Sequence, residues 1–386
     1  MTRTEQDRLG TREVPSHAYY GIQTLRAAEK FPMEGTHVHE EIIMAMAGIK
    51  KASAQAHLDL GRLPYPIGRC IVKAAEEIIH GEHLEDFILD YIQAGTHDSL
   101  NTNMNEVIAN RALELMMEDK GNYALINPDH HVNLAQTASG LMSVSYRIAA
   151  HHLSHVLIQS TDQLLTTLLT KEKTIDERYT SESTSLTPGT PVWLGRQFGN
   201  SARNLLQDMK RLVLASSQLH TVSLDLPLSG SESNGNVEFV ERASVHLKNI
   251  IKLNIRINKD DGDFSGSNEA FLDLSSAMMQ CAMDISKLCG DIRLAAAVIS
   301  PGGNEGIDLN IGMLSEAGEV LAQIAFQAVG LNHSIRFAAD FGMPDRNAMP
   351  PILANNLMES MKLLIKGMES FTLTMTEDNE QRIVYR

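Results

Sequence analysis

Between Ala94 and Ala112 the chain reads Ala-Gly-Thr-His-Asp-Ser-Leu-Asn-Thr-Asn-Met-Asn-Glu-Val-Ile-Ala-Asn-Arg-Ala. Thr96, Ser99, Asn101, Thr102, Asn103 and Asn105 crowd its first half with short polar side chains, directly after a glycine. Such side chains satisfy the orphan backbone N–H groups that open a helix, so the segment predicts a helix start. The same N–H groups, with the helix dipole behind them, can hold an anion. Two uses therefore stand open: a polar helix cap without chemistry, or a site for a small carboxylate.

Other candidate groupings are weaker. His151, His152 and His155 have the three- and four-residue spacing of helical metal ligands, but no further ligand lies nearby in sequence, and a solvated helix face fits them better. Lys259-Asp-Asp-Gly-Asp263 lacks calcium-loop spacing and reads as a turn. The methionines of Ala277-Met-Met-Gln-Cys-Ala-Met283 fall at helical intervals and read as core. Cys70, Cys281 and Cys289 are scattered, with no metal spacing, which suits a reducing compartment. No metal site is expected.

The elements that position these residues are helical by composition and pattern. In 386 residues, 43% are hydrophobic but 5% aromatic, with 19 Met, which favours helix-on-helix packing. The length allows two or three domains. Apolar residues recur every three or four positions over 40–60, 66–94, 140–171, 194–223, 236–258, 267–299, 315–340 and 353–375. No run alternates convincingly as a strand, and residues 1–35 read as an irregular polar arm. Asn127-Pro-Asp-His-His-Val-Asn133 reads as a loop. Long helices with short connections predict an all-α fold, an elongated central bundle beside a smaller mixed N-terminal domain. Apolar residues on more than one helix face predict an oligomer. A net charge of −15 argues against nucleic acid, and no apolar run reaches membrane-spanning length. The polar start is no signal peptide, so a soluble cytoplasmic protein is expected.

The segment from Thr96 to Ala112 resembles the first signature region of the aspartase/fumarase superfamily, where it helps bind the carboxylates of a dicarboxylic acid. The resemblance, to the aspartase branch, begins at Gly10-Thr-Arg-Glu-Val-Pro15, Ala18-Tyr-Tyr-Gly21 and Thr24-Leu-Arg26. It continues through Asn127-Pro and His131-Val-Asn133 to Leu194-Gly-Arg-Gln-Phe198. Lys287-Leu-Cys-Gly-Asp-Ile-Arg293, Phe326-Gln-Ala-Val-Gly330 and Asn347-Ala-Met-Pro350 complete it. It implies a mostly helical fold, here 1–133 as N-terminal domain with a substrate-proximal arm, 134–375 as central bundle and 376–386 as a short tail. It implies a tetramer whose active sites each draw on three subunits, and a small dicarboxylate-like ligand. It implies no cofactor. The family reaction is an anti elimination in which a base takes a weakly acidic proton and hydrogen-bond donors stabilise the resulting dianion.

The sequence departs from the family where the chemistry is done. The family's Gly-Ser-Ser-x-Met-Pro-x-Lys-x-Asn-Pro loop carries the serine base and two substrate-gripping residues. Here Ser300-Pro-Gly-Gly-Asn-Glu-Gly-Ile-Asp-Leu-Asn310 runs through Ile311-Gly-Met-Leu-Ser315 into the next helix, and that block has no counterpart. Ser315 is expected as that helix's N-cap. Gln136-Thr-Ala-Ser-Gly140 stands for the family's Gln-Ser-Thr-Asn-Asp and keeps hydroxyls at Thr137 and Ser139. Glu182-Ser-Thr-Ser185 keeps Thr184 at the family threonine, with Ser185 in place of a larger His or Gln. Glu232 brings a negative charge near a site for dicarboxylates. The resemblance also leads to the expectation that most of the family's small third domain is missing. The resemblance thus implies Arg12, Thr96, Ser99, Asn103, Thr137, Ser139, Thr184 and Ser185 as substrate-binding residues, with Thr96, Asn103 and Thr184 orienting carboxylates. Histidine suits a base near neutral pH, and His97, inside the best-kept segment, is the replacement base ahead of His17 and of His131, which reads as structural. Three roles follow: a divergent carbon–nitrogen or carbon–oxygen lyase, a non-catalytic member that binds a ligand or enters a hetero-tetramer with a loop-containing homologue, or a scaffold.

Overall fold

The computed structural model describes residues 1–30, 32, 37–92, 97–182, 190–222, 233–252, 256–257, 268–299, 311–340 and 351–376. Its contacts divide the chain into two compact units. One comprises Met1–Ala150, Leu219–Asn268 and Phe341–Asn355, and the other His151–Gln218, Glu269–Asp340 and Asn356–Arg386. The fold is all-α in class, as the periodicity predicts.

The first unit opens on a hairpin, not on the irregular arm expected. Strands β1 (Thr2–Asp7) and β2 (Gly10–Pro15) pair antiparallel, from Thr2 opposite Pro15 to Asp7 opposite Gly10. Gly10 takes φ +111° at the turn, a conformation that favours glycine. The apolar alternation that announces a strand is missing because the inward residue of β1 is the buried Glu5. Its carboxylate pairs with Arg3 and accepts the Ile22 N–H at 2.9 Å. Helix α1 (Ile22–Lys30) follows, then α2 (Glu40–Asp59), α3 (Tyr65–Ile79) and α4 (His97–Leu115). The helix expected over 66–94 stops at Ile79, since Gly81 (φ 89°) and His83 (φ 63°) turn left-handed before a 3-10 turn at Leu84–Asp86. The loop expected at 127–133 is wound into one wide helical turn, Pro128–Val132, capped by the Asn127 side chain. Helix α5 (Ala138–Glu182) starts in this unit, and α7 (Ser233–Ile251) packs on α2. Two-residue strands β3 (Thr221–Val222) and β4 (Arg256–Ile257) pair in parallel.

In the second unit the rest of α5 joins α6 (Thr190–Ser217), α8 (Glu269–Ile299), α9 (Ile311–Asp340) and most of α10 (Pro351–Thr376). Met278, Cys281, Ile285, Leu288, Ile292 and Ala295 bury one stripe of α8 at alternating three- and four-residue steps, the spacing of bundle packing. Helix α9 starts earlier than expected. Ser315 lies inside its first turns and is no N-cap, because buried Leu314 belongs to the same stripe as Leu321 and Ala325.

Candidate active site

Helix α4 brings the polar segment together. Thr96 lies outside the described residues, and His97 is the first residue of α4. Ser99 is half-buried in the first turn. Asn103 is wholly buried, and its Nδ2 donates to the Asp86 carbonyl at 3.0 Å, tying α4 to the turn before it. Asn101 Nδ2 donates to Asn133 Oδ1 at 3.2 Å, but Asn101 Oδ1 and both polar atoms of Asn105 are buried without a partner among the described residues.

The segment from Asn133 to Gly140 is held by groups whose roles the sequence did not announce. Lys50, fully buried on α2, donates from Nζ to Asn133 Oδ1 at 2.7 Å. Burial holds its pKa well below the usual lysine range, against the pull of Asp129. One residue on, the Leu134 carbonyl lies 3.0 Å from Nε2 of His57. That contact makes Nε2 the protonated nitrogen and leaves Nδ1 a buried acceptor without a partner among the described residues. The ring stacks on Phe239 at 4.3 Å, and burial lowers its pKa. Lys50 and His57 are seven residues apart, on the buried side of α2. A lysine and a histidine at core positions of an apolar helix were the signal for them.

Thr137 then caps α5: its Oγ1 accepts the Gly140 N–H at 3.2 Å and its carbonyl the Leu141 N–H at 3.0 Å. Ser139 is half-buried in the first turn. Two of the expected hydroxyls thus stand together at a helix N-terminus, where backbone N–H groups and dipole favour a carboxylate.

The arm is fastened by Glu106, a second residue the sequence reading passed over. One carboxylate oxygen accepts the N–H groups of Gly21 (2.9 Å) and Thr24 (3.1 Å) and the Thr24 hydroxyl (2.6 Å), and the other accepts the Gln23 N–H (2.9 Å). Burial pushes its pKa up to about 7 although these four donors pull it down. Gly21 is required here, since a Cβ would stand 2.4 Å from the Tyr123 hydroxyl. Among the described residues Arg12 has no bond to this cluster: it is exposed on β2, with Nε 3.6 Å from Glu29.

The histidines separate. His131 Nδ1 accepts the Asn127 N–H at 2.9 Å, which closes a turn and fits its structural reading. His17 lends its carbonyl to Lys120 Nζ at 2.7 Å. His151 is buried, its ring 4.6 Å from that of the exposed His155. Among the described residues, Glu77, Glu82 and His83 could share a cation, but both oxygens of Glu77 already face Arg111, at 2.6 and 3.1 Å. Thr184, Ser185, Glu232 and the run from Ser300 to Asn310 lie outside the described residues.

Comparison with known proteins gives a consistent picture. Residues 10–301 match the family described as lyase. The aspartate ammonia-lyase of Bacillus subtilis (strain 168) is 34% identical over 99% of this chain and 83% of its own length. The solved structure of a fumarate lyase:delta crystallin from Brucella melitensis superposes with a TM-score of 0.84 at 28% identity, covering 98% of this chain and 89% of that one. A class II fumarase from Schistosoma mansoni, 21% identical, shares the fold with a TM-score of 0.78 over 96% of this chain and 83% of its own.

Proposed function

The chain belongs to the aspartase/fumarase superfamily of lyases, and from that membership we propose that it cleaves a carbon–nitrogen (or carbon–oxygen) bond by anti elimination on an aspartate-like or otherwise substituted succinate. The observation that carries this reading is the α5 N-terminus, where Thr137 caps the helix and Ser139 stands in its first turn, on a segment anchored by Lys50 and His57. One substrate carboxylate binds there, and Thr96 and Thr184 orient the carboxylates with help from Ser99 and Ser185. Asn103 acts from behind, holding the start of α4 in place. Arg12, on the exposed hairpin, contributes charge to the approach of a dianion.

The base is rebuilt. Helix α9 begins at Ile311, immediately after Asn310, and this supports the reading that the serine, lysine and asparagine block has no place in the chain. His97 takes the proton from carbon. It is the first residue of α4, at the head of the polar segment that the family resemblance assigns to carboxylate binding. The bonding pair of the broken C–H bond forms the new double bond, and the amine or hydroxide leaves from the opposite face. No cofactor is called for. The assembly is a tetramer, homomeric or mixed with a loop-containing homologue, and its setting is the cytoplasm.

The early start of α9 also favours a second reading, a non-catalytic member that binds the ligand or assembles with an active paralogue. One experiment separates them. The pure protein is incubated with aspartate, malate and related succinates while absorbance in the fumarate band is followed. Turnover by the homomer is the expected result, reduced at least about a hundredfold in His97→Asn with the melting temperature unchanged. Full activity in that variant removes His97 from the mechanism. Absence of turnover from a folded oligomer supports the second reading.

A further inference from the structure

The buried amine of Lys50 stands where two parts of the site meet. Lys50 is 0% exposed, and among the described residues its Nζ has one hydrogen bond, to Asn133 Oδ1 at 2.7 Å. The same oxygen accepts Asn101 Nδ2 at 3.2 Å. One carboxamide oxygen thus ties α2 to the first turns of α4 and to the segment that runs on to α5. The start of α5 also lies against this turn of α2: Ile49 and Ser53, on either side of Lys50, line one small cavity with Thr137 and Gly140.

A fully buried ammonium needs acceptors and an opposite charge, and otherwise gives up its proton. Asn133 is neutral. The carboxylate that pulls the Lys50 pKa upward, Asp129, is exposed on the wide turn, so water screens it. Lys51, next in sequence, turns to Glu76 of α3 at 2.8 Å. His57, two turns along α2, has Nε2 on the Leu134 carbonyl, and burial favours its neutral form too. From α4 come amides alone: the Oδ1 atoms of Asn101 and Asn105 are buried and have no partner among the described residues. Acceptors for an ammonium N–H are therefore present, and the missing element is a nearby negative charge.

We propose that the substrate dianion supplies that charge, so that Lys50 takes up a proton as the ligand binds and becomes the buried counter-charge to a carboxylate at the start of α5. This rests on the lyase reading above, which puts a carboxylate there. The proton comes from the buffer and returns to it when the product dianion leaves, so the elimination itself stays balanced. Lys50 is a positioning residue in this scheme: it acts through Asn133 and through its field, not by touching the substrate. Because proton uptake favours the bound state, the ligand Kd rises with pH, by up to about tenfold per unit while Lys50 is neutral in the free protein.

Calorimetry measures the proton directly and independently of turnover. The intact protein is titrated with succinate, a dicarboxylate with no group to eliminate, at about pH 8 in two buffers of different ionisation enthalpy. Both succinate carboxylates are ionised at that pH and exchange no proton themselves. The expected result is uptake of about half to one proton per ligand bound. In Lys50→Met the uptake falls to near zero and the pH dependence of Kd flattens. Lys50→Gln, which keeps a donor toward Asn133, provides the same test should the first variant fail to fold by circular dichroism. A merely structural lysine would weaken binding without altering proton uptake. Binding without uptake in the parent, or uptake that survives both substitutions, overturns the Lys50 assignment and leaves the lyase reading standing. Absence of binding by both succinate and L-aspartate overturns the lyase reading, and the Lys50 assignment with it.

Discussion

Glu106 shows how much of the site depends on one side chain that does no chemistry. Its carboxylate is the common acceptor for three backbone N–H groups and one hydroxyl at the start of α1. Replacing it by alanine leaves four donors buried beside a cavity. Loss of such a buried network costs on the order of 3–5 kcal/mol, so Glu106→Ala is expected to lower the urea midpoint sharply and to loosen the arm. A variant as stable as the parent would show that water or a neighbouring acceptor replaces the carboxylate. Lys50 poses the converse case. Its ammonium has a neutral partner, Asn133, and burial already disfavours its charge. Lys50→Met keeps the stem and removes the buried amine. Its expected stability cost is small, below about 1.5 kcal/mol, while positioning of the segment from Asn133 to Thr137 suffers. A substrate Kd that rises severalfold with little change in melting temperature is the result that checks this.

At the scale of elements, the contact of α6 with α8 carries a pH dependence. Asp208 is fully buried on α6, bonded to Arg211 at 2.6 Å and beside the Asp284 carboxylate of α8. Burial first, then the nearby Asp284, pushes its pKa from 3.8 up to about 7. The folded chain thus keeps a proton that the unfolded chain has released. Stability from this group is greatest below about pH 4 and declines as pH rises to about 7. Glu106 acts in the same direction. Asp208→Asn is therefore expected to raise the melting temperature at pH 8 and to flatten, not abolish, the decline between pH 4 and 7. A variant with the parent's slope would place the dependence elsewhere. The helices themselves were legible because their stripes are strict: Met278 to Ala295 on α8 reads as one buried row in sequence and in structure. The hairpin was not, because its inward residue is a glutamate, and its strands cohere through Thr2 and Thr4 hydroxyls on Glu13. Helical breaks at Gly81 and His83 hid behind continuing apolar spacing. Thr137 and Ser139 were found from the resemblance, whereas His57 and Asn101 matter through atoms, unpaired among the described residues, that only three-dimensional packing reveals.

The surface of the second unit, taken with the family to which the chain belongs, argues for assembly. Phe326 is 57% and Phe337 79% exposed on α9, eleven residues apart and so on one side of the helix. Leu214 of α6 and Leu294 of α8 are likewise more than half exposed. Large apolar side chains left in water at this density on a single chain mark a buried interface. The net charge of −15 opposes association at low ionic strength, so apolar contact must outweigh it. The proposed tetramer would cover these side chains, and it would allow each active site to draw on several subunits, as the family resemblance implies. Phe326→Glu together with Phe337→Glu adds two charges to the contact and is expected to convert the tetramer to smaller species in sedimentation, more completely at low salt. Turnover and binding should fall with it, although neither phenylalanine belongs to the proposed site. An intact tetramer in that variant would mean that α9 faces solvent in the assembly. A dissociated protein that still turns over would mean that one chain completes the site alone.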